Sequence, residues 1–214
     1  MQRFSLPCGG GLCMTVLLLL LACTPKTSFL ILDRYSDSSF SGSDLSGAQI
    51  VLTPVLKGGA ALSAAQVDQD RLIRDLKRDR HDLSFVSAEL FELSLSESLG
   101  IHSVEEFYKG LFESDHLVLK SLDREWGMVP GQFLFVTRVL AGANVRSIEG
   151  KAVRRVKMEG ELWRTGDAGV VWRTSVLVVS TDTGESDSRL IKRGIVTLCD
   201  SLPTVLPGYG YEGW

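Results

Sequence analysis

Three histidines, four cysteines and a scatter of carboxylates are the side chains of this 214-residue chain best suited to chemistry. His81, His102 and His116 stand far apart, with neither an HExxH motif nor a cysteine pair beside them. The spacing that closes on a metal ion is missing, and no metal is expected. A serine nucleophile would need a GxSxG elbow held between a strand and a helix. The nearest serine-glycine run, Gly42 to Gly47, lies in a polar stretch that offers neither. Gly58-Gly59 lacks the rest of GxGxxG and any GK[ST] ending, so it is a tight turn rather than a phosphate cradle. Glu89, Glu92, Glu97, Asp115, Asp123 and Glu125 contain acids in number. A hydrolytic pair must face across a substrate at about 5–9 Å, and spacing along one chain does not supply that; solvated helix faces account for them. The bases Arg71, Arg74, Lys77, Arg78 and Arg80 alternate with Asp68, Asp70, Asp75, Asp79 and Asp82, as i, i+4 pairs on an exposed helix do. No catalytic residue and no cofactor is expected.

The cysteines are more informative. Arg3 gives residues 1–22 a weakly positive start, Leu12 to Leu21 is an apolar run, and small Ala22 precedes Cys23, the layout of an export signal. The run is shorter than the roughly 20 apolar residues a bilayer-spanning helix needs. Leu20-Leu21-Ala22-Cys23 resembles the bacterial lipobox, where a cysteine sulfur is acylated with diacylglycerol before the chain is cut on its amino side. Ala22 meets the need for a small residue at the cut, Cys23 carries the thioether, and Leu20 is the usual branched residue opening the box. The alternatives are an ordinary secretory peptide or an N-terminal anchor helix that happens to contain a cysteine, and both keep the domain in the export pathway. The resemblance implies a lipoprotein held on a membrane through Cys23. Thr24, in place of an aspartate, implies sorting to the outer membrane, facing the periplasm.

Cys8 and Cys13 fall in the leader and Cys23 is spoken for, so Cys199 alone remains in the folded part and no internal disulfide is expected. It sits in an apolar stretch, as a buried inert thiol does. The formal net charge of −3 leaves no basic excess for a nucleic-acid backbone, and nucleic acid is not expected as a partner.

The elements that would carry these residues fall in a clear order. Residues 23–47 form a lipidated N-terminus and a serine-rich segment expected to be a spacer. A single α/β domain is expected over 48–206, and 207–214 is a glycine and aromatic tail that either folds back over the sheet, stays disordered or contacts a partner. Gln49 to Leu56 has the pattern of a strand. Ser63 and Gln66 fit a capping box ahead of a helix with Val67, Leu72, Ile73 and Leu76 on one face. His81 to Val86 is a second strand. Helices follow: one through Leu90, Phe91, Leu95 and Leu99, one through Val104, Phe107, Tyr108 and Leu111, and one through Leu119, Leu122 and Trp126. The period then changes to two: Phe133 to Leu140, Val153 to Trp163 and Val170 to Val179 are strands, the last two joined by the turn Arg164 to Gly169. Leu190 to Leu202 is a final helix. The fold class is α+β, a mixed, largely antiparallel sheet covered by helices.

IVLTPVL, HDLSFVS, FLFVTRV and the hairpin ELWRTGDAGVVW together resemble periplasmic lipoproteins whose α/β domain is similar to the TolB amino-terminal domain and the curli-secretion lipoprotein. That resemblance implies a non-enzymatic accessory or assembly module of the cell envelope, acting on an envelope protein partner, with no catalytic residues to transfer. A lipid-anchored binding protein for a small ligand or lipid is the alternative. An apolar pocket of about 300 Å³ or more with convergent polar groups would favour it; a closed core favours the module.

Overall fold

The computed structural model describes residues 26–58, 60–63, 66–98, 104–113, 132–147, 150–165, 169–182 and 184–204. Eight strands are present among them: β1 (Thr27–Ser36), β2 (Gln49–Leu52), β3 (Leu56–Lys57), β4 (Ala60–Ala61), β5 (Ser84–Ser87), β6 (Phe133–Arg146), β7 (Ala152–Arg164) and β8 (Gly169–Ser180). The helices are α1 (Gln69–Asp79), α2 (Glu89–Ser98), α3 (Val104–Phe112) and α4 (Asp187–Asp200), with a 3-10 turn at Gly42–Leu45. The strands form one open sheet in the order β1-β8-β7-β6-β2-β5, with β3 on β6 and β4 on β3. β1, β8, β7 and β6 run antiparallel to one another in series, while β2 is parallel to both β5 and β6. The fold is therefore mixed α+β, as the change of period along the chain implied.

The hairpin of β7 and β8 explains the two faces. Val156, Met158, Gly160 and Leu162 meet α4 and α1 in the larger core, with Phe85, Phe135, Trp172, Leu190 and Leu198. The opposite parity carries Glu159, Glu161 and Trp163. There α2 and α3 pack Phe91, Leu95, Phe107, Tyr108 and Leu111 on Val51, Leu134, Val136 and Trp163. Helices α1, α3 and α4 thus bury one apolar stripe and leave a polar side to water, whereas α2 also exposes Leu90 and Leu93. Gly58, at φ 61°, lies between β3 and β4, where a two-residue hairpin loop needs a left-handed residue.

Gly194 is where α4 comes closest to the sheet. A Cβ built there would lie 2.4 Å from Met158 Sδ and 3.1 Å from Val178 Cγ2. Gly194→Val should therefore destabilise the domain by about 1–3 kcal/mol through overpacking, read as a lowered urea midpoint at unchanged slope. A loss below about 0.5 kcal/mol would mean the sheet gives way at no cost.

Several expectations are corrected. Residues 33–47, expected as part of a spacer, belong to the folded domain, which begins at Thr27 rather than Ala48. Thr27–Ser36 is the edge strand paired with β8, and Phe40 and Leu45 are buried in the larger core. The β-branched and aromatic residues before Ser36 suit a strand. The serines and aspartates after it serve as turn chemistry: Asp37 Oδ1 accepts from the backbone N–H and hydroxyl of Ser39, and Asp44 Oδ2 accepts from the N–H of Ser41. These bonds also hold both carboxyls below the usual carboxylate range. Helix α1 starts later than expected, because Asp68 rather than Ser63 caps it by accepting from Arg71 N–H at 2.9 Å. Ser63 and Gln66 do bond to each other, but in the turn before it. Leu90 is 65% exposed instead of facing the core. Arg80 is not on a solvated face: it is buried, paired with Asp82 at 2.8 Å, and donates to the carbonyls of Cys199, Leu202 and Pro203 at the end of α4. The helix expected at Leu119 to Trp126, Leu99 and the 207–214 tail lie outside the described residues.

Candidate functional site

Cys23, the one site residue the sequence nominates, lies outside the described residues, as do His102 and His116. His81 is exposed just beyond α1. Among the described residues no group of three or more His, Cys, Asp or Glu side chains could hold a metal ion. Cys199 is fully buried, and burial, with the nearby Asp200 carboxylate, pushes its thiol well above the usual range. It is therefore protonated and shielded at neutral pH.

Two polar constellations stand out instead. The first is a charge cluster under α3. Arg138 on β6 is almost wholly buried; its guanidinium pairs with Glu161 Oε2 at 2.7 Å and Glu159 Oε1 at 3.1 Å, both on β7. Its Nε also donates to the carbonyl of Leu111, at the end of α3, at 3.0 Å. Glu161 has no exposed surface; its carboxylate accepts from Trp163 Nε1 at 3.0 Å and from Arg173 on β8 at 2.6 Å. Cross-strand pairing aligns these residues, since Arg138 stands opposite Glu159 and Glu161 opposite Arg173. The cations and acids satisfy one another and an orphan helix carbonyl, an arrangement that braces α3 against the sheet.

The second is a cleft of about 260 Å³ where β2 ends, lined by Leu52, Thr53, Val55, Gln69, Glu89, Glu92, Thr137 and Ile195 among others. Gln69 donates its amide to the Leu52 carbonyl, and Tyr108 Oη donates to Glu92 Oε1 at 2.6 Å. Burial and this carboxylate raise the Tyr108 phenol far above its ordinary value, so it stays a donor. The hydroxyl of Thr137, buried on β6 at the cleft, has no hydrogen-bond partner among the described residues. A larger hollow of about 340 Å³ runs along the opposite edge, beside β5, between Asp70, Ile73 and Lys77 of α1 and Leu90 of α2.

Of the acids weighed in the sequence, Glu89 and Glu92 come together at the cleft. Glu97 is not among its lining residues, and Asp115, Asp123 and Glu125 lie outside the described residues. The cluster of Arg138, Glu161 and Arg173 went unnoticed. Its signal is present, in a lone arginine within the apolar run FLFVTRVL and a glutamate on the strand that follows.

Comparison with known proteins gives distant likenesses only. No family model matches the sequence, and no curated protein does. Among solved structures, a PelC dodecamer from Paraburkholderia phytofirmans is similar at 11% identity and a TM-score of 0.42, over 83% of this chain and 98% of that one. The lipoprotein GNA1162 from Neisseria meningitidis is similar at 12% identity and a TM-score of 0.41, over 72% and 96%. Likenesses at this level establish neither a shared site nor a shared activity.

Proposed function

We propose that this chain is a cell-envelope lipoprotein, anchored through acylated Cys23 at the outer membrane and facing the periplasm, and that it acts as a non-enzymatic accessory or assembly module through contacts with an envelope protein. The observation that carries the anchor is the box Leu20-Leu21-Ala22-Cys23 set directly ahead of a folded domain whose first strand starts at Thr27. Among the described residues no helix is long and apolar enough to cross a membrane. The module reading is supported by the charge cluster, whose members are saturated by one another. Metabolic labelling with a palmitate analogue tests the anchor: the wild-type chain takes up label, and a chain that does not is no lipoprotein.

The unpaired Thr137 hydroxyl favours a second reading, a small-ligand site in the cleft at the end of β2. A buried hydroxyl without a partner costs about 1–3 kcal/mol. In the absence of ligand, Thr137→Val should therefore leave the melting temperature unchanged or raise it. Fragment binding followed by NMR should give cleft ligands that this variant no longer takes; ligands bound equally by both proteins would remove Thr137 from any site.

A further inference from the structure

The edge strand β1 exposes four consecutive large apolar side chains, Phe29 at 43%, Leu30 at 57%, Ile31 at 44% and Leu32 at 45%. Isolated apolar residues on a surface are ordinary, but a contiguous set marks a contact surface. Side chains alternate along the strand, so Phe29 and Ile31, opposite Val178 and Val176, flank the edge on the α4 face, whereas on the other face Leu30 stands opposite Leu177, which stands opposite Lys157, and Ser28 opposite Val179, which stands opposite Arg155. Leu177 and Val179 are half-buried, while Lys157 and Arg155 are exposed and make no ion pair among the described residues. This part of the face lies beyond the Arg138 cluster along β7 and β8. The surface is therefore apolar and basic together.

The strand is fixed at its start. Thr181 donates its N–H to the Lys26 carbonyl at 2.9 Å, and Thr27 donates its hydroxyl to Glu185 Oε2 at 3.0 Å, which also accepts from Ser180. Only three residue steps separate Lys26 from Cys23, a reach of about 10 Å even when fully extended. With the acyl chains of Cys23 in a bilayer, β1 cannot stand off on a stalk. Its exposed side chains come within a few residues of the lipid headgroups.

We infer that the β1 edge, with Leu30 and the basic residues Arg155 and Lys157 on one face of the sheet and Phe29 and Ile31 on the other, lies against an anionic lipid surface, a docking that rests on acylation of Cys23. The apolar tips enter the headgroup boundary, and the cations face lipid phosphates. The strand stays at that level rather than deeper, because the free N–H and C=O groups of its outer edge find water and phosphate there and nothing in hydrocarbon. The domain thus lies on the membrane by its β1 side and presents the β5 edge, at the other end of the sheet, away from it.

The test uses the mature chain from residue 23 with Cys23→Ser, so that no acyl group is present. Leu30→Cys and, separately, Leu32→Cys carry an environment-sensitive fluorophore; buried Cys199 does not compete for the label. Addition of vesicles of phosphatidylethanolamine and phosphatidylglycerol should raise and blue-shift the emission at both positions. A label at Arg74→Cys on α1, and vesicles of phosphatidylcholine, should give little change. Since each lysine or arginine near an anionic surface contributes about 1 kcal/mol, Arg155→Glu together with Lys157→Glu should weaken vesicle binding by about 20-fold or more. No change at positions 30 and 32, or an equal change at 74, overturns the docking. So does a change at 30 that needs no vesicles and accompanies a doubled mass in sedimentation, which would give the face to a second copy. The assay contains no acyl group, so its failure falls on this surface alone, whereas failure of palmitate labelling falls on Cys23.

Discussion

Arg138→Met should cost the domain about 3–5 kcal/mol. Removing one partner of a buried ion pair strands the other in a medium that cannot solvate it. Glu161, with no exposed surface, would keep only Arg173, whose side chain is 37% exposed, and the Trp163 indole. Leu111 would lose the donor that covers its carbonyl. For a domain of this size each kcal/mol lowers the melting temperature by about 2–4 °C, so a fall of roughly 6–20 °C follows. Arg138→Lys keeps the charge but not the fork that reaches three acceptors, and should lie between. Replacing Arg138, Glu161 and Arg173 together by apolar residues should recover much of the loss, because desolvation offsets most of what a buried pair gains. A single substitution costing under 1 kcal/mol, or a triple replacement worse than Arg138→Met, would show that the cluster does not brace α3.

The second large effect concerns location. Cys23→Ala, expressed behind an ordinary cleavable leader so that no uncut helix remains, should move the protein from the detergent phase to the aqueous phase. Each buried methylene contributes about 0.8 kcal/mol, and two or three long chains anchor stably where one does not. The β1 face alone supplies far less, so what remains bound to membranes should be removed by salt, as contacts between exposed charges are. A variant that stays membrane-bound in high salt after its leader is gone would place the anchor elsewhere than on Cys23.

Much of the architecture was legible in local pattern. The switch from a 3.6-residue to a two-residue period at Phe133 separates helices from the long strands of β6 to β8, because those periods are properties of the backbone itself. The burial of Phe107, Tyr108 and Leu111 on one side of α3 follows from i, i+1 and i+4 spacing in the same way. Cys199 likewise read correctly as a buried thiol, since an apolar neighbourhood in sequence became an apolar neighbourhood in space. Where composition stood in for pattern, the reading failed. Asp33 to Gly47 looked like a solvated linker because it is rich in serine and aspartate; those side chains instead close turns on their own backbone, and Phe40 and Leu45 carry the burial.

The sequence by itself determined the long strands β6 to β8, the apolar stripes of α1, α3 and α4 and the Leu20-to-Cys23 box, since each depends on residues within a few positions of one another. Tertiary structure alone decided which residues meet from afar. It set Arg138 beside Glu161 by the register of β6 on β7, brought Arg80 to the end of α4 across more than a hundred residues, and left the apolar strand β1 at an open edge. Register and strand order are settled by the packing of the whole sheet, in which a one-residue slip would turn every side chain to the wrong face, and no local window contains that information.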